Sequence, residues 1–182
     1  MKITLSGLPG SGTTTVARLL AKELGLELIS AGEMFRELAS AEKLRLEQFS
    51  ELAEEDEDFD RKVDERQAEE ARKRAEVVVE GRLSGFFVPD ADLKVWLKAP
   101  SAVRASRIAG REGEGYEAAF SAMKNRERSE RERYEKYYGI ILDDLSLYDL
   151  VLNSARWGER GVVAVVKVAA ENVERGVGLK EE

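Results

Sequence analysis

Near the start of the chain, Gly7-Leu8-Pro9-Gly10-Ser11-Gly12-Thr13-Thr14 has the residue types and spacing to bind phosphate. Glycines at these positions let the backbone curl so that successive N–H groups point at one anion, and a following helix adds the positive end of its dipole. A hydroxyl at the place of Thr14 can ligate Mg²⁺ beside a bound triphosphate. Thr13 stands where the common form of this loop has lysine, so another cation must serve the β- and γ-phosphates. The residues expected to hold the phosphates are Gly7, Leu8, Pro9, Gly10, Ser11, Gly12, Thr13, Thr14 and Thr15.

Other charged residues fall in patterns that suit phosphate chemistry. Glu80 ends the apolar run Val77-Val78-Val79, so its carboxylate sits at the C-terminal tip of a strand, where it can hold the water ligands of a metal. Thr14 and Glu80 are the expected metal residues. Gly81 beside it allows a nucleotide to approach closely. Arg104, Arg107 and Arg111 are spaced i, i+3 and i+7, so they share one helix face. Arg126, Glu130 and Arg133 repeat the idea at i, i+4 and i+7, although dense alternation of Arg and Glu there is also the pattern of an exposed ion-pair ladder.

These groups need elements to position them. Ile3-Thr4-Leu5 reads as a strand and Val16, Leu19, Leu20 and Leu24 as a helix stopped by Gly25. A second strand is predicted over Leu26 to Ile29, and Ser30-Ala31-Gly32-Glu33 has the form of a capping box. Residues 38–76 predict two or three solvated helices with a turn near the acidic cluster Glu54 to Asp58, and Leu44, Leu46, Phe49, Leu52, Phe59 and Val63 as their apolar positions. Strands follow at Val77–Val79 and Leu93–Leu97, a helix from Ser101 to about Gly110, and a loop from Arg111 to Gly115. A long charged helix from Tyr116 to Tyr137, a strand at Leu150–Leu152 and a helix from Val162 to Val173 complete the chain. Trp96 and Trp157 are expected in the packing. Strands alternating with helices imply a parallel sheet covered on both faces.

Composition narrows the chemistry further. The chain has 182 residues and no internal repeat or linker, which favours one domain. It contains no histidine and no cysteine, excluding Ser-His-Asp and Cys-His nucleophilic schemes, thiolate metal sites and disulfides. Phosphoryl transfer survives that exclusion because it needs positioning and charge stabilisation more than a strong base. A net charge of −7 argues against nucleic acid as a partner. No apolar run reaches the length of a membrane span, so the expectation is a cytoplasmic protein with no membrane partner. Charged residues at 36% resemble the ion-pair-rich composition of heat-adapted proteins.

Gly-Ser-Gly-Thr-Thr-Thr at 10–15, Ser30-Ala31-Gly32 with Arg36, Glu80-Gly81-Arg82 and the arginines of the later helices resemble the archaeal-type cytidylate kinases. The resemblance covers nearly the whole chain, and in that group threonine at the lysine position is usual. It implies a P-loop nucleoside-monophosphate kinase fold: a five-stranded parallel sheet flanked by helices, with a core at about 1–36, 76–110 and 138–175. Acceptor-binding helices would occupy about 37–75 and a short lid about 107–130. The activity implied is transfer of the γ-phosphoryl of ATP to CMP, and to dCMP, with Mg²⁺ as cofactor and a monomer as the working unit. Arg36 and Arg82 would clamp the acceptor phosphate; Ser30, Gly32 and Gly81 would line its site. Arg66 and Gln67, with Asp60 and Asp64 nearby, fall where the base is read. Arg107, Arg111 and Arg126 would deliver charge to the transferring phosphoryl group, and Glu130 and Arg133 would face the acceptor.

The same chemistry on AMP or another small nucleotide is the nearest alternative. A kinase of non-nucleotide metabolites fits less well, because Ser30-Ala31-Gly32 stands where shikimate kinases carry Asp-x-Asp. A nucleotide-binding regulatory protein, with the lost lysine marking lost catalysis, is the reading from another class.

Overall fold

A computed structural model describes residues 1–44 and 57–174, with side chains described over 1–44 and 61–173. Leu46, Phe49, Leu52 and Glu54 to Asp56 lie outside the described residues, as do the side chains of Glu57 to Asp60 and the tail after Gly176.

Five strands form one parallel sheet: β1 (Lys2–Gly7), β2 (Glu27–Ser30), β3 (Val77–Glu80), β4 (Leu93–Lys98) and β5 (Leu150–Asn153), in the order β2-β3-β1-β4-β5. The described helices are α1 (Thr13–Leu24), α2 (Ala31–Ala41), α3 (Glu57–Arg72), the single turn α4 (Ser84–Phe87), α5 (Ser101–Glu112), α6 (Tyr116–Tyr138) and α7 (Ser154–Glu174). Among the described residues no helix is long and apolar enough to cross a membrane.

Alternate residues of the strands serve opposite faces. Ile3, Leu5, Val78, Val95 and Leu97 pack with Val16, Ala17 and Leu20 of α1 and with Val162, Val163 and Val166 of α7. Val77 and Val79 turn the other way, onto Ile29, Met34, Val63 and Ala71 of the α2–α3 side. Burying each Ile, Leu or Val contributes about 1.5–3 kcal/mol, so both faces are held by apolar area. A smaller cluster of Leu83, Trp96, Tyr134, Leu142 and Tyr148 anchors the C-terminal half of α6, and Ala105, Ile108, Ala119 and Met123 join α5 to α6.

Four local expectations change. Ser30 is the residue before α2 but makes no side-chain cap; its hydroxyl goes to Glu80, and Glu33 pairs with Arg18, so tertiary partners displace the capping box. Helix α5 continues to Glu112, because the first left-handed residue is Gly113, whose N–H closes on Ala109. The last helix begins at Ser154, eight residues early, with a non-helical break at Gly158. Trp157 lies at that break and is exposed, whereas Trp96 is buried beside Tyr148.

Candidate active site

The loop between β1 and α1 is wound by two left-handed glycines, Gly10 at φ 77° and Gly12 at φ 93°. At Gly10 a side chain is excluded twice: the conformation is strained for it, and a Cβ would lie 2.6 Å from the Arg104 carbonyl oxygen. Gly12 precedes α1 without any side-chain cap, and the first turn of α1 carries no acidic residue. The orphan N–H groups and the positive helix end thus stay open to an anion.

The carbonyl side of the loop is held from behind. Pro9 O accepts from Arg104 at 3.0 Å; Gly10 O and Ser11 O accept from Arg107, each at 3.3 Å; and Ser11 O also accepts from the Ser154 hydroxyl at 2.6 Å. The peptide bonds of the described residues are all trans, so fixing the Pro9 and Ser11 carbonyls aims the N–H groups of Gly10 and Gly12 the opposite way.

At the end of β3, Glu80 collects three hydroxyls. Its Oε1 accepts from Thr13 at 2.8 Å and Thr14 at 3.1 Å, and its Oε2 from Ser30 at 2.7 Å. Parallel register explains the meeting, since β1 and β2 both pair with β3 and end beside it. A largely buried carboxylate next to a threonine hydroxyl at the loop mouth is a hard-oxygen pair suited to Mg²⁺, which takes few protein ligands and completes its shell with phosphates and water. Among the described residues no group of three or more His, Cys, Asp or Glu could hold an ion by itself.

On the acceptor side, Arg82 forks onto Glu130, Nε at 2.7 Å and Nη2 at 3.3 Å, and Arg126 reaches the same carboxylate at 2.8 Å. Burial alone would raise the Glu130 carboxyl, but the Arg82 and Arg126 guanidinia outweigh it and hold the group down at about 2. Glu127 and Glu130 are both buried, while Lys124 and Arg126, which pair with them at i,i+3 and i,i+4, are exposed, so the ion pairs of α6 have their carboxylates inside and their cations at the surface. Arg133 donates to Ser129 at 2.8 Å. Arg36 is exposed near Gly32, while Glu33 and Glu37 pair with Arg18 and Arg66 instead.

Gln67 is buried and donates to the Glu80 carbonyl at 2.8 Å. A Cβ at Gly81 would lie 2.8 Å from the Gln67 Oε1 and 2.9 Å from the Ala31 Cβ, so the protein's own packing already demands glycine there. Arg66 turns to Glu37 at 3.0 Å, in a cleft between α2 and α3, and Asp64 accepts from the Tyr138 hydroxyl at 3.2 Å.

The structure therefore brings together Gly7 to Thr14, Ser30, Glu80 and Gly81 around the loop mouth, and Arg82, Arg126 and Glu130 beside them. It does not bring all the arginines of α5 to one point. Arg107 lies against the loop carbonyls and Ser154, and Arg111 is exposed and paired with Glu112 at 2.6 Å. Thr15, one residue beyond the metal-type hydroxyl, is exposed.

Sequence reasoning missed Ser154 and Glu127. Nothing marks Ser154 in isolation. For Glu127 a signal existed: Ala119, Met123, Glu127, Glu130 and Tyr134 form one helical stripe of buried positions, interrupted by two carboxylates that must have partners.

Residues 2–156 match the sequence pattern of the cytidylate kinase-like family. A cytidylate kinase of Archaeoglobus fulgidus is 51% identical over 171 residues, covering 94% of this chain and 95% of that protein. A cytidylate kinase of Pyrococcus horikoshii is 48% identical over 172 residues, 94% of this chain and 89% of that one. Among solved structures, shikimate kinase from Aquifex aeolicus superposes with a TM-score of 0.60 at 20% identity, covering 98% of this chain and all of that one, a likeness of fold. The whole-length identity and the family pattern agree with the five-stranded sheet and its glycine loop: the chain belongs to the cytidylate kinase-like family.

Proposed function

We propose that the protein transfers the γ-phosphoryl group of ATP to CMP, with dCMP as a second acceptor. The observation that carries this is the Glu80 carboxylate, which binds hydroxyls of the donor loop (Thr13, Thr14) and of the strand end that starts the acceptor helix (Ser30). Donor and acceptor sides meet at that one residue. Family membership and the 51% identity to a protein named cytidylate kinase support CMP as the acceptor.

Backbone N–H groups of the loop and the α1 N-terminus bind the donor phosphates. Thr14 and Glu80 would hold Mg²⁺, which would supply positive charge to the donor phosphates. Arg36 and Arg82 bind the acceptor phosphate, a task that suits a planar two-pronged cation. Glu130 acts on the acceptor through the two arginines it binds. Arg107 and Arg111 serve the transfer step from α5, and Arg126 and Arg133 add cations from α6. An acceptor phosphate oxygen is already nucleophilic, so no base is needed from the protein. Gln67 aligns the Glu80–Gly81 backbone, and the α3 face with Asp64 and Arg66 borders the base.

A coupled ADP-release assay with Mg-ATP against CMP, dCMP, UMP and AMP tests the proposal. Preference for CMP or dCMP supports it; preference for AMP keeps the mechanism and overturns the base assignment. Binding of ATP with no turnover of any monophosphate overturns the kinase reading.

A further inference from the structure

Outside the groups already given a task, one buried charge cluster stands out. Arg104 of α5 is only 3% exposed, and its guanidinium is used on every edge. The Nε donates to Ala99 O at the end of β4 at 3.0 Å, and Nη2 to the Ser101 hydroxyl at 3.2 Å. The Nη1 donates to Pro9 O in the phosphate loop at 3.0 Å, touches Met123 Sδ at 3.5 Å, and forms a short ion pair with Glu127 of α6. Glu127 is 1% exposed, and its other oxygen faces Lys124 at 3.2 Å and Arg131 at 3.8 Å.

Packing alone does not call for this pair. Ala105, Ile108, Ala119 and Met123 already join the two helices, and a buried ion pair generally adds no more stability than apolar residues of equal size. What it adds is direction. A planar guanidinium with fixed partners on all sides sets where the Pro9 carbonyl points, and through the trans peptide where the Gly10 N–H points. Glu127 stands three residues before Glu130, so one stretch of α6 carries the carboxylate that pairs with Arg104, which in turn holds the Pro9 carbonyl, and the carboxylate that holds Arg82 and Arg126.

We propose that Arg104 and Glu127 are positioning residues that couple the two substrate sites, setting the donor loop from the same segment of α6 that orders the acceptor arginines. Engagement of the acceptor phosphate by Arg82 and Arg126 steadies α6 at Glu130, and Glu127 and Arg104 pass that restraint to the Pro9–Gly10 peptide. This inference rests on the nucleotide-kinase reading.

The test is the affinity of the Mg²⁺ complex of adenylyl imidodiphosphate, a non-hydrolysable ATP analogue, measured without and with saturating CMP. In the native protein CMP tightens analogue binding about tenfold, within the usual range for coupled sites. In Glu127→Gln that factor falls towards one, so the KM for ATP at saturating CMP and, by reciprocity, the KM for CMP at saturating ATP each rise about tenfold, while the Kd for CMP of the ATP-free protein changes less than about twofold. A Glu127→Gln protein with a lower melting temperature but native coupling overturns the proposal, leaving the pair a structural one. If that variant does not fold, hydrogen exchange on the native protein decides: CMP alone must slow exchange in residues 8–15, and no slowing overturns the coupling. Native protein that turns over CMP yet binds the two ligands independently overturns only this inference. Native protein inactive on every monophosphate overturns the kinase reading itself.

Discussion

The Thr13 hydroxyl donates to Glu80 at 2.8 Å, tying the position that is lysine in the common form of the loop to the end of β3. Thr14 shares the same carboxylate oxygen at 3.1 Å. Glu80 is thus held by neutral hydroxyls on the loop side rather than by an ammonium. Replacing Thr13 by valine keeps the shape and removes one donor. The expected cost is about 1 kcal/mol, seen as a lower melting temperature and a KM for Mg-ATP about fivefold higher. Thr14→Val should cost more in kcat/KM, because it also removes a metal-type hydroxyl. Equal effects in the two variants would remove the distinction between them.

Arg36 and Arg82 should separate from Arg107 and Arg111 in kinetics. Alanine at either of the first pair should raise the KM for CMP by about 10–100-fold, the range expected for a lost charge-assisted contact. Alanine at Arg107 or Arg111 should lower kcat with little change in acceptor KM. Arg82→Ala should also lose about 3 kcal/mol of stability, because it leaves the exposed Arg126 to balance the buried Glu130 carboxylate. Steady-state kinetics with CMP varied at saturating ATP would check the split; an equal rise in acceptor KM in all four variants would refute it.

Glu130 sets a pH boundary. Its carboxyl titrates at about 2 in the folded protein against 4.5 when unperturbed, since the Arg82 and Arg126 charges override burial. A depressed carboxyl contributes stability that is complete above its unfolded pKa and disappears as pH falls through the folded one. Acid unfolding monitored by circular dichroism should therefore show stability falling from about pH 4.5 towards 2 in the native protein. That dependence should be reduced in Glu130→Gln, and an unchanged acid limb there would contradict the assignment.

Gly10→Ala combines two penalties, a left-handed φ of 77° and a Cβ placed against the Arg104 backbone. The expected loss is about 1–3 kcal/mol of stability with ATP-analogue binding strongly weakened. Calorimetric titration and thermal melting on the same variant measure both. Native ATP affinity in Gly10→Ala would mean that the loop does not need this conformation.

The strands and most helix limits were legible because local rules govern them. Val77-Val78-Val79 is a continuous apolar run between polar neighbours, as a strand buried on both faces must be. Gly25 stops α1 with a cap N–H on Ala21, as its position suggested. The failures were local rules outbid by distant partners. Ser30 and Glu33 have the types and spacing of a capping box, yet a carboxylate 50 residues away offers Ser30 a better acceptor. Trp157 looked like a core residue by type, but the break at Gly158 leaves it exposed.

By itself the sequence determined the phosphate loop, the parallel α/β architecture and the residue types available for chemistry, because glycine spacing, apolar periodicity and the absence of histidine act without reference to distant contacts. Tertiary structure decided which charges face one another. Arg104, Arg107 and Arg111 look equivalent along one helix, yet Arg104 is buried against the loop and Glu127, Arg107 braces loop carbonyls, and Arg111 stays in solvent. A charged side chain's partner depends on what the fold brings within about 3 Å of it, and that distance is not written in spacing along the chain.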